Sequence, residues 1–406
     1  MEETLSEKIL GAQAGSFSDK RIDKAFCHDG TGIQAKVIYD EMGAPGIANP
    51  GACYVIYDHI APANTSQTAD LHRELREFAI RSGMHFSDVG GGICHQYMAE
   101  GRVLPGDVVI GADSHSCTLG AFGAFATGVG ASDMAGIWVS GETWLRVPDT
   151  IAIYLSGALG KGVEFKDLAL SYVAELGMDG ATYQALEFLG ESALSVPMEG
   201  RLTLSNMAVE AGAKAGLWYA DDGTREFLSK YGQPCQAQKP DDDAFYSEEI
   251  WYDLHDLEPL LAVPHRVDTV KPVSDLVGTP LDQVFIGTCT NGRYEDLARA
   301  AAILNGKKVA VRTVVVPASQ ADYLQAVTSG VMATLVSAGC IVGPPGCGPC
   351  LGAHMGVLGE GEVGLSTANR NFRNRMGVGA SYFLSSPSTA AASAIAGEIA
   401  DPREFV

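Results

Sequence analysis

The chain has 406 residues, enough for two or three domains and for a core that needs neither disulfides nor a structural metal. Apolar residues make up 46% and charged residues 19%, a composition that excludes a disordered chain. Lys plus Arg number 28 against 49 Asp plus Glu, a net charge of −21, which argues against a general nucleic-acid or anionic-membrane binder.

Short apolar runs alternate with helical patterns, the sign of α/β layers with largely parallel sheets. The first third predicts a strand from Cys53 to His59, an amphipathic helix over Asp70 to Ser82, and a short strand from His85 to Val89 before three glycines. Another strand runs from Asp107 to Asp113, and Pro148 marks a boundary. The middle third predicts a strand over Thr150 to Leu155 and helices over Phe165 to Leu176 and Ser205 to Leu217. The acidic, aromatic stretch from Pro240 to Pro259 reads as a solvated surface segment. In the last third, strands are expected at Leu281 to Gly287, Val309 to Val316, Cys340 to Val342 and Val363 to Ser366. Helices are expected at Asp296 to Leu304, Ala321 to Ala338 and Ser388 to Ile399. Tyr323 to Gly359 carries no charge, but Gly343-Pro344-Pro345-Gly346 breaks it, so it is not a membrane span.

The nine cysteines are odd in number and irregular in spacing. Met1 to Gly15 has no apolar core of the length that a signal peptide needs. A reducing, cytoplasmic compartment with thiols or metal ligands is therefore expected. Cys347-Gly-Pro-Cys350 can be a redox pair, half a zinc site or part of an iron–sulfur site. Only Cys289, in Thr-Cys-Thr-Asn-Gly, sits in a comparable loop. Three thiolates with no evident fourth ligand suggest a cluster with one open corner as one reading beside the redox and zinc ones, although structural zinc wants four protein ligands.

Histidines and carboxylates cluster at the expected strand ends: Asp58-His59, Asp113-Ser114-His115, and His95 after the glycine run. A carboxylate fixes the tautomer of its partner imidazole and favours the protonated ring, which suits a general acid. Asn206 and Glu210 stand at i and i+4 on the expected helix and so share a face. Arg370 and Arg375 follow a strand end, where guanidinium forks bind the carboxylates of a di- or tricarboxylate.

With these motifs in this order, the chain resembles the aconitase superfamily, and most closely its isopropylmalate isomerase and homoaconitase branch. The resemblance spans nearly the whole chain. Its segments are Tyr57 to Thr65, Gly90 to Gln96, Gly111 to Thr118 running on to Gly128-Val-Gly130, Leu204 to Glu210, Gly287 to Arg293, Cys347 to Gly352 and Asn369 to Gly377. It implies a three-domain α/β core of mostly parallel sheets flanked by helices, divided at 1–148, 149–267 and 268–406, with the active site in a central cleft. It implies a 4Fe-4S cluster on Cys289, Cys347 and Cys350, with one iron not ligated by protein. The implied catalytic pairs are Asp58 with His59, Asp113 with His95, and Glu210 with His115. Ser114, Asn206, Arg370 and Arg375 would bind or orient substrate. Gln34 lies near a substrate-binding glutamine of the family pattern.

The implied activity is a hydro-lyase that isomerises a 2-hydroxy dicarboxylate by removing and re-adding water. The favoured substrate is 3-isopropylmalate, for leucine synthesis, with homocitrate or homoaconitate, a methylated malate or a maleate-type diacid as alternatives. The swivelling domain of single-chain members, with its catalytic serine, has no counterpart segment before Val406, so a small subunit carrying it is the expected partner. Some relatives bind RNA without their cluster, but the acidic balance opposes that role here.

Overall fold

A computed structural model of the chain describes residues 2–44 and 46–406. It divides into two compact units that are discontinuous in sequence. The first takes the chain up to Val89, then Cys94–Ser156 and Asp179–Tyr252; the second takes Gly90–Ile93, Gly157–Met178 and Asp253–Val406.

The first unit is built on a five-stranded parallel sheet. Its order across the sheet is His85–Ser87, Cys53–Ile56, Lys24–His28, Val108–Gly111 and Phe125–Gly128. Cys53–Ile56 and Val108–Gly111 are buried throughout, as expected of strands covered on both faces. The order matters for function. The chain starts at Lys24–His28, steps outward through Cys53–Ile56 and His85–Ser87, then returns to the other side of its first strand with Val108–Gly111. Carboxyl ends that diverge at such a reversal leave a crevice for ligands. A four-stranded sheet (Ala215–Leu217, Gln184–Leu189, Asp149–Ser156, Glu248–Asp253) and an antiparallel pair (Phe17–Arg21 with Glu142–Arg146) complete the unit.

The second unit holds a seven-stranded sheet in the order Val270–Pro272, Leu260–Ala262, Ser381–Leu384, Val363–Ser366, Gln283–Ile286, Arg312–Val315 and Ile341–Val342. The last five are parallel. The same reversal occurs here, between Gln283–Ile286 and Val363–Ser366. The helices Tyr294–Leu304 and Pro387–Ala396 share its core, which includes Leu297, Ala300, Ala391 and Ala394. Each fully buried Leu, Ile or Val in such a core contributes about 1.5–3 kcal/mol relative to exposure.

The five-stranded sheet lies inside 1–148 and the four-stranded one inside 149–267. The seven-stranded sheet straddles the expected boundary at 267, because Leu260–Ala262 belongs to it.

Three expected elements differ. Ser205 to Leu217 is not one helix: the helix Met198–Met207 passes into a 3-10 turn, Ala208–Ala211, and then the strand Ala215–Leu217. Gly212, at φ +88°, ends the turn, and a Cβ on Gly216 would lie 2.9 Å from Ser205 Cα, so the strand can run there only as glycine. Asn206 and Glu210 therefore do not share a helix face. Ala321 to Ala338 is two helices, Gln320–Thr328 and Val331–Ala338, parted at Gly330 with φ +84°. Pro240 to Pro259 contributes the edge strand Glu248–Asp253, with Ile250 buried and Trp251 exposed. Acidic side chains are well suited to a sheet edge, where they discourage further pairing. Among the described residues no helix is long and apolar enough to cross a membrane.

Candidate active site

The first unit gathers imidazoles and carboxylates at the carboxyl ends of its reversed strands. Asp58 and His59 follow Cys53–Ile56, with His59 Nδ1 2.6 Å from Asp58 Oδ1. Asp58 is fully buried, and its other oxygen accepts the Cys94 backbone N–H at 2.6 Å. That bond sets the start of the helix Cys94–Ala99, which carries His95. Asp113 follows Val108–Gly111; its Oδ1 lies 3.0 Å from His95 Nε2 and accepts the His115 N–H at 2.8 Å. His115 Nε2 lies 2.8 Å from Glu210 Oε1, with both side chains buried. Asn206 donates to Thr118 Oγ1 at 2.8 Å, and Thr118 donates to the His115 carbonyl at 2.7 Å. Ser114 Oγ stands 3.4 Å from His115 Nδ1. Desolvation alone would push the Asp113 carboxyl up, but His95, His115 and His59 together hold it well below the usual carboxylate range.

Two residues that the sequence reading did not single out join this array. His28, at the end of Lys24–His28, stacks on His59 with ring centroids 3.6 Å apart, and its Nε2 is 3.8 Å from Asp113 Oδ2. Asp29 accepts the backbone N–H groups of His59 at 2.9 Å, Ile60 at 2.8 Å and Asp58 at 3.3 Å. It thus holds the whole turn that presents His59. Desolvation opposes its charge, yet hydrogen bonds from His28 and His72 hold the carboxyl well below its ordinary range. His28, Asp29, Asp58 and His59 each offer a donor atom within 4.8 Å of the others. The carboxylate oxygens already accept protein hydrogen bonds, so the group is built as a hydrogen-bond network and not as a cation site. Gln34 is exposed on the helix Asp29–Glu41 and does not join it. The local signal for His28-Asp29 was an apolar run, Ala25 to Cys27, ending in a histidine and an acid, the same pattern seen inverted at Asp58-His59.

A charge-neutral swap tests the anchor. In Asp29→Asn an amide N–H must replace one of the two oxygens that between them accept three backbone N–H groups. The expected result is a stability loss of about 1–3 kcal/mol in urea unfolding, with a fall in turnover as His59 loses its seat. Unchanged stability would mean that the turn is held by other contacts.

In the second unit, Cys289 follows the strand Gln283–Ile286, in the single turn Thr288–Asn291. Cys347 precedes the tight turn Gly348–Leu351 and Cys350 lies within it, its N–H donating to the Cys347 carbonyl at 3.2 Å. The three are 7–8% exposed, and Cys289 and Cys347 share one small cluster with Ile93 and Ala318. Asn369 Nδ2 donates to Cys289 Sγ at 3.5 Å, and Arg375 Nη2 to Cys350 Sγ at 3.8 Å. Arg293 secures the Cys289 turn by donating to the carbonyls of Cys289 and Thr290 at 2.6 and 2.7 Å. Arg370 is half-buried, and its carbonyl accepts the Tyr382 hydroxyl at 2.8 Å. Arg373 is exposed. None of the nine cysteines is in a disulfide. Lys166, from the helix Phe165–Leu176, was not singled out by the sequence; burial pulls its amine down to about 8. A lone lysine in an amphipathic pattern carries no local signal of this placement.

A family model described as the aconitase family (aconitate hydratase) matches residues 5–280 and 274–397. The chain belongs to the aconitase family. Relatives along the full family chain agree. A probable methanogen homoaconitase large subunit from Methanosarcina mazei is 51% identical, over 95% of this chain and 99% of that one. A 3-isopropylmalate dehydratase large subunit from Methanopyrus kandleri is 47% identical over 100% of both chains. A probable 3-isopropylmalate dehydratase large subunit from M. mazei is 43% identical, over 99% of this chain and 100% of that one. Among solved structures, aconitase X of Thermococcus kodakaraensis, in its holo-form, covers 86% of this chain and 84% of its own, with a TM-score of 0.53 and 15% identity, a likeness of fold. Within this aconitase-family chain, each of the three expected imidazole–carboxylate pairs lies at 2.6–3.0 Å.

Proposed function

We propose that this chain is the cluster-bearing large subunit of a hydro-lyase that isomerises a 2-hydroxy dicarboxylate by dehydration and rehydration, with 3-isopropylmalate as the favoured substrate. The observation that carries this reading is three buried thiols in the second unit: Cys289, beyond a strand at the sheet reversal, packs in one cluster with Cys347, and Cys289 and Cys350 each accept an N–H hydrogen bond. That donor set fits an iron–sulfur cluster: soft sulfur ligands, shielded from water, with N–H donors to offset thiolate charge. Cys289, Cys347 and Cys350 would hold it. When bound, a 4Fe-4S cluster with one iron free of protein ligands supplies a Lewis acid for the substrate hydroxyl.

The chain's own residues supply the rest. His59, His95 and His115, each paired with a carboxylate, hold and release protons as general acids. Glu210 orients His115 through Nε2, and Asn206 steadies the His115 backbone through Thr118. Ser114 offers a hydroxyl beside His115. Arg370 and Arg375 bind a substrate carboxylate, and Arg375 also donates to Cys350. The base that takes the carbon-bound proton is a serine of a small subunit, in line with the large-subunit names of the relatives.

Homoaconitase chemistry is the second reading, supported by the higher identity to the M. mazei homoaconitase subunit than to the dehydratase subunit of the same organism. Both readings meet one test. The chain is reconstituted anaerobically with iron and sulfide, then assayed alone and with a small subunit, on 3-isopropylmalate and on homocitrate. About four irons per chain are expected, as for a cubane cluster. Turnover is expected only with the partner present, and the faster substrate decides between the readings. A chain that takes up only zinc, or one fully active alone, overturns the proposal.

A further inference from the structure

Lys166 is 1% exposed, and burying a lysine is costly unless its charge meets a counterpart. Its ammonium donates to the carbonyl oxygens of Ala368 at 2.7 Å and Thr367 at 3.0 Å, and reaches Asn291 Oδ1 at 3.5 Å. These acceptors belong to the two loops at the strand reversal. Asn291 closes the turn that holds Cys289. Thr367 and Ala368 lead into Asn369, whose amide donates to the Cys289 sulfur. The Cys289 and Cys350 thiols both lie within electrostatic range of the ammonium.

The two carboxylates that favour its charge most, Asp296 and Asp167, are shared with other partners. Asp296 sits 3.8 Å from Arg299 and accepts the Arg293 backbone N–H. Asp167 is pushed up to about 8 by burial and accepts the N–H groups of Leu260 and Glu164. Negative charge on the nearby sulfurs adds to what these shared carboxylates offer the ammonium.

We propose that Lys166 is a positioning residue for the iron–sulfur cluster: it pins the Cys289 turn to the Asn369 loop and sets a buried positive charge beside the thiolates. The proposal rests on the reading that these thiols bind a cluster. A cation beside a cluster favours the form with more negative charge, so Lys166 makes the cluster easier to reduce and slower to lose iron.

The test compares wild-type, Lys166→Gln and Lys166→Met chains, reconstituted anaerobically with iron and sulfide. Iron-free melting, iron release to a chelator and the midpoint potential are read for each. The expected result is iron-free melting within about 3 °C of wild type for the glutamine variant. Its iron release rises at least about tenfold. Its midpoint moves negative by about 59 mV or more, the one-electron equivalent of a tenfold change. The methionine variant, which lacks the hydrogen bonds as well, shows at least the same shift. A purely structural lysine would lower the iron-free melting and leave the potential in place. Potential and iron release unchanged in a loaded glutamine variant overturn the proposal alone. Failure of both variants to fold assigns Lys166 to stability and overturns it too. A wild-type chain that takes up no iron and sulfide overturns the cluster reading itself.

Discussion

Cys347→Ala is expected to abolish the visible absorption of the reconstituted protein and to take turnover to background. Enzymes gain at least about 10⁶-fold over the uncatalysed rate, so the fall is roughly 10⁴-fold or more. The reason is chemical: alanine offers no ligand, and Cys289 and Cys350 alone leave two positions of the trio. The fold should survive, because Cys347 sits in a small cluster of four residues and not in the main core. Cys340→Ala is the control. Cys340 is buried in the main core of the same unit, where burial pushes its thiol up to about 11. Its loss should cost about 1 kcal/mol of packing and leave iron uptake intact. Iron and sulfide analysis of the two variants checks the ligand set. Equal loading of both would remove Cys347 from it.

Glu210→Gln is expected to lower turnover by about 10²- to 10⁴-fold, or roughly 3–5 kcal/mol of barrier, in the assay with the small subunit. Glutamine keeps the shape and a hydrogen bond to His115, 2.8 Å away in the native chain, but removes the charge. A carboxylate favours the protonated form of a partner imidazole, and an amide does not. The cluster spectrum should stay as in the wild type, since Glu210 acts on a proton and not on iron. Iron content and visible absorption measured beside kcat separate the two effects. Unchanged turnover would make the pair structural, a buried ion pair that holds the turn Ala208–Ala211 in place.

Much of this arrangement was legible from neighbouring residues. Apolar runs such as Tyr54-Val-Ile and Val108-Val-Ile carry the buried parallel strands, since side chains covered on both faces must be apolar along the whole strand. Asp58-His59, Asp113-Ser-His115 and Cys347-Gly-Pro-Cys350 stand out as candidate site residues by adjacency alone. Local pattern failed where one residue overrode a period. Gly330 parts a helix that the apolar spacing would continue, and Gly212 and Gly216 turn a helical stretch into a strand.

What no local pattern carries is the order of strands. By itself, the sequence determined the family, the strand-end acids and histidines, and the three thiols, because each is a matter of residue type and close spacing. Only the tertiary structure decided that Asp29 would hold the turn before His59, 30 residues on, and that Lys166 would reach Ala368, 202 residues away. Those contacts follow from where the sheet order reverses. That order is set by packing many apolar faces at once, so it is written across the chain and not in any one segment of it.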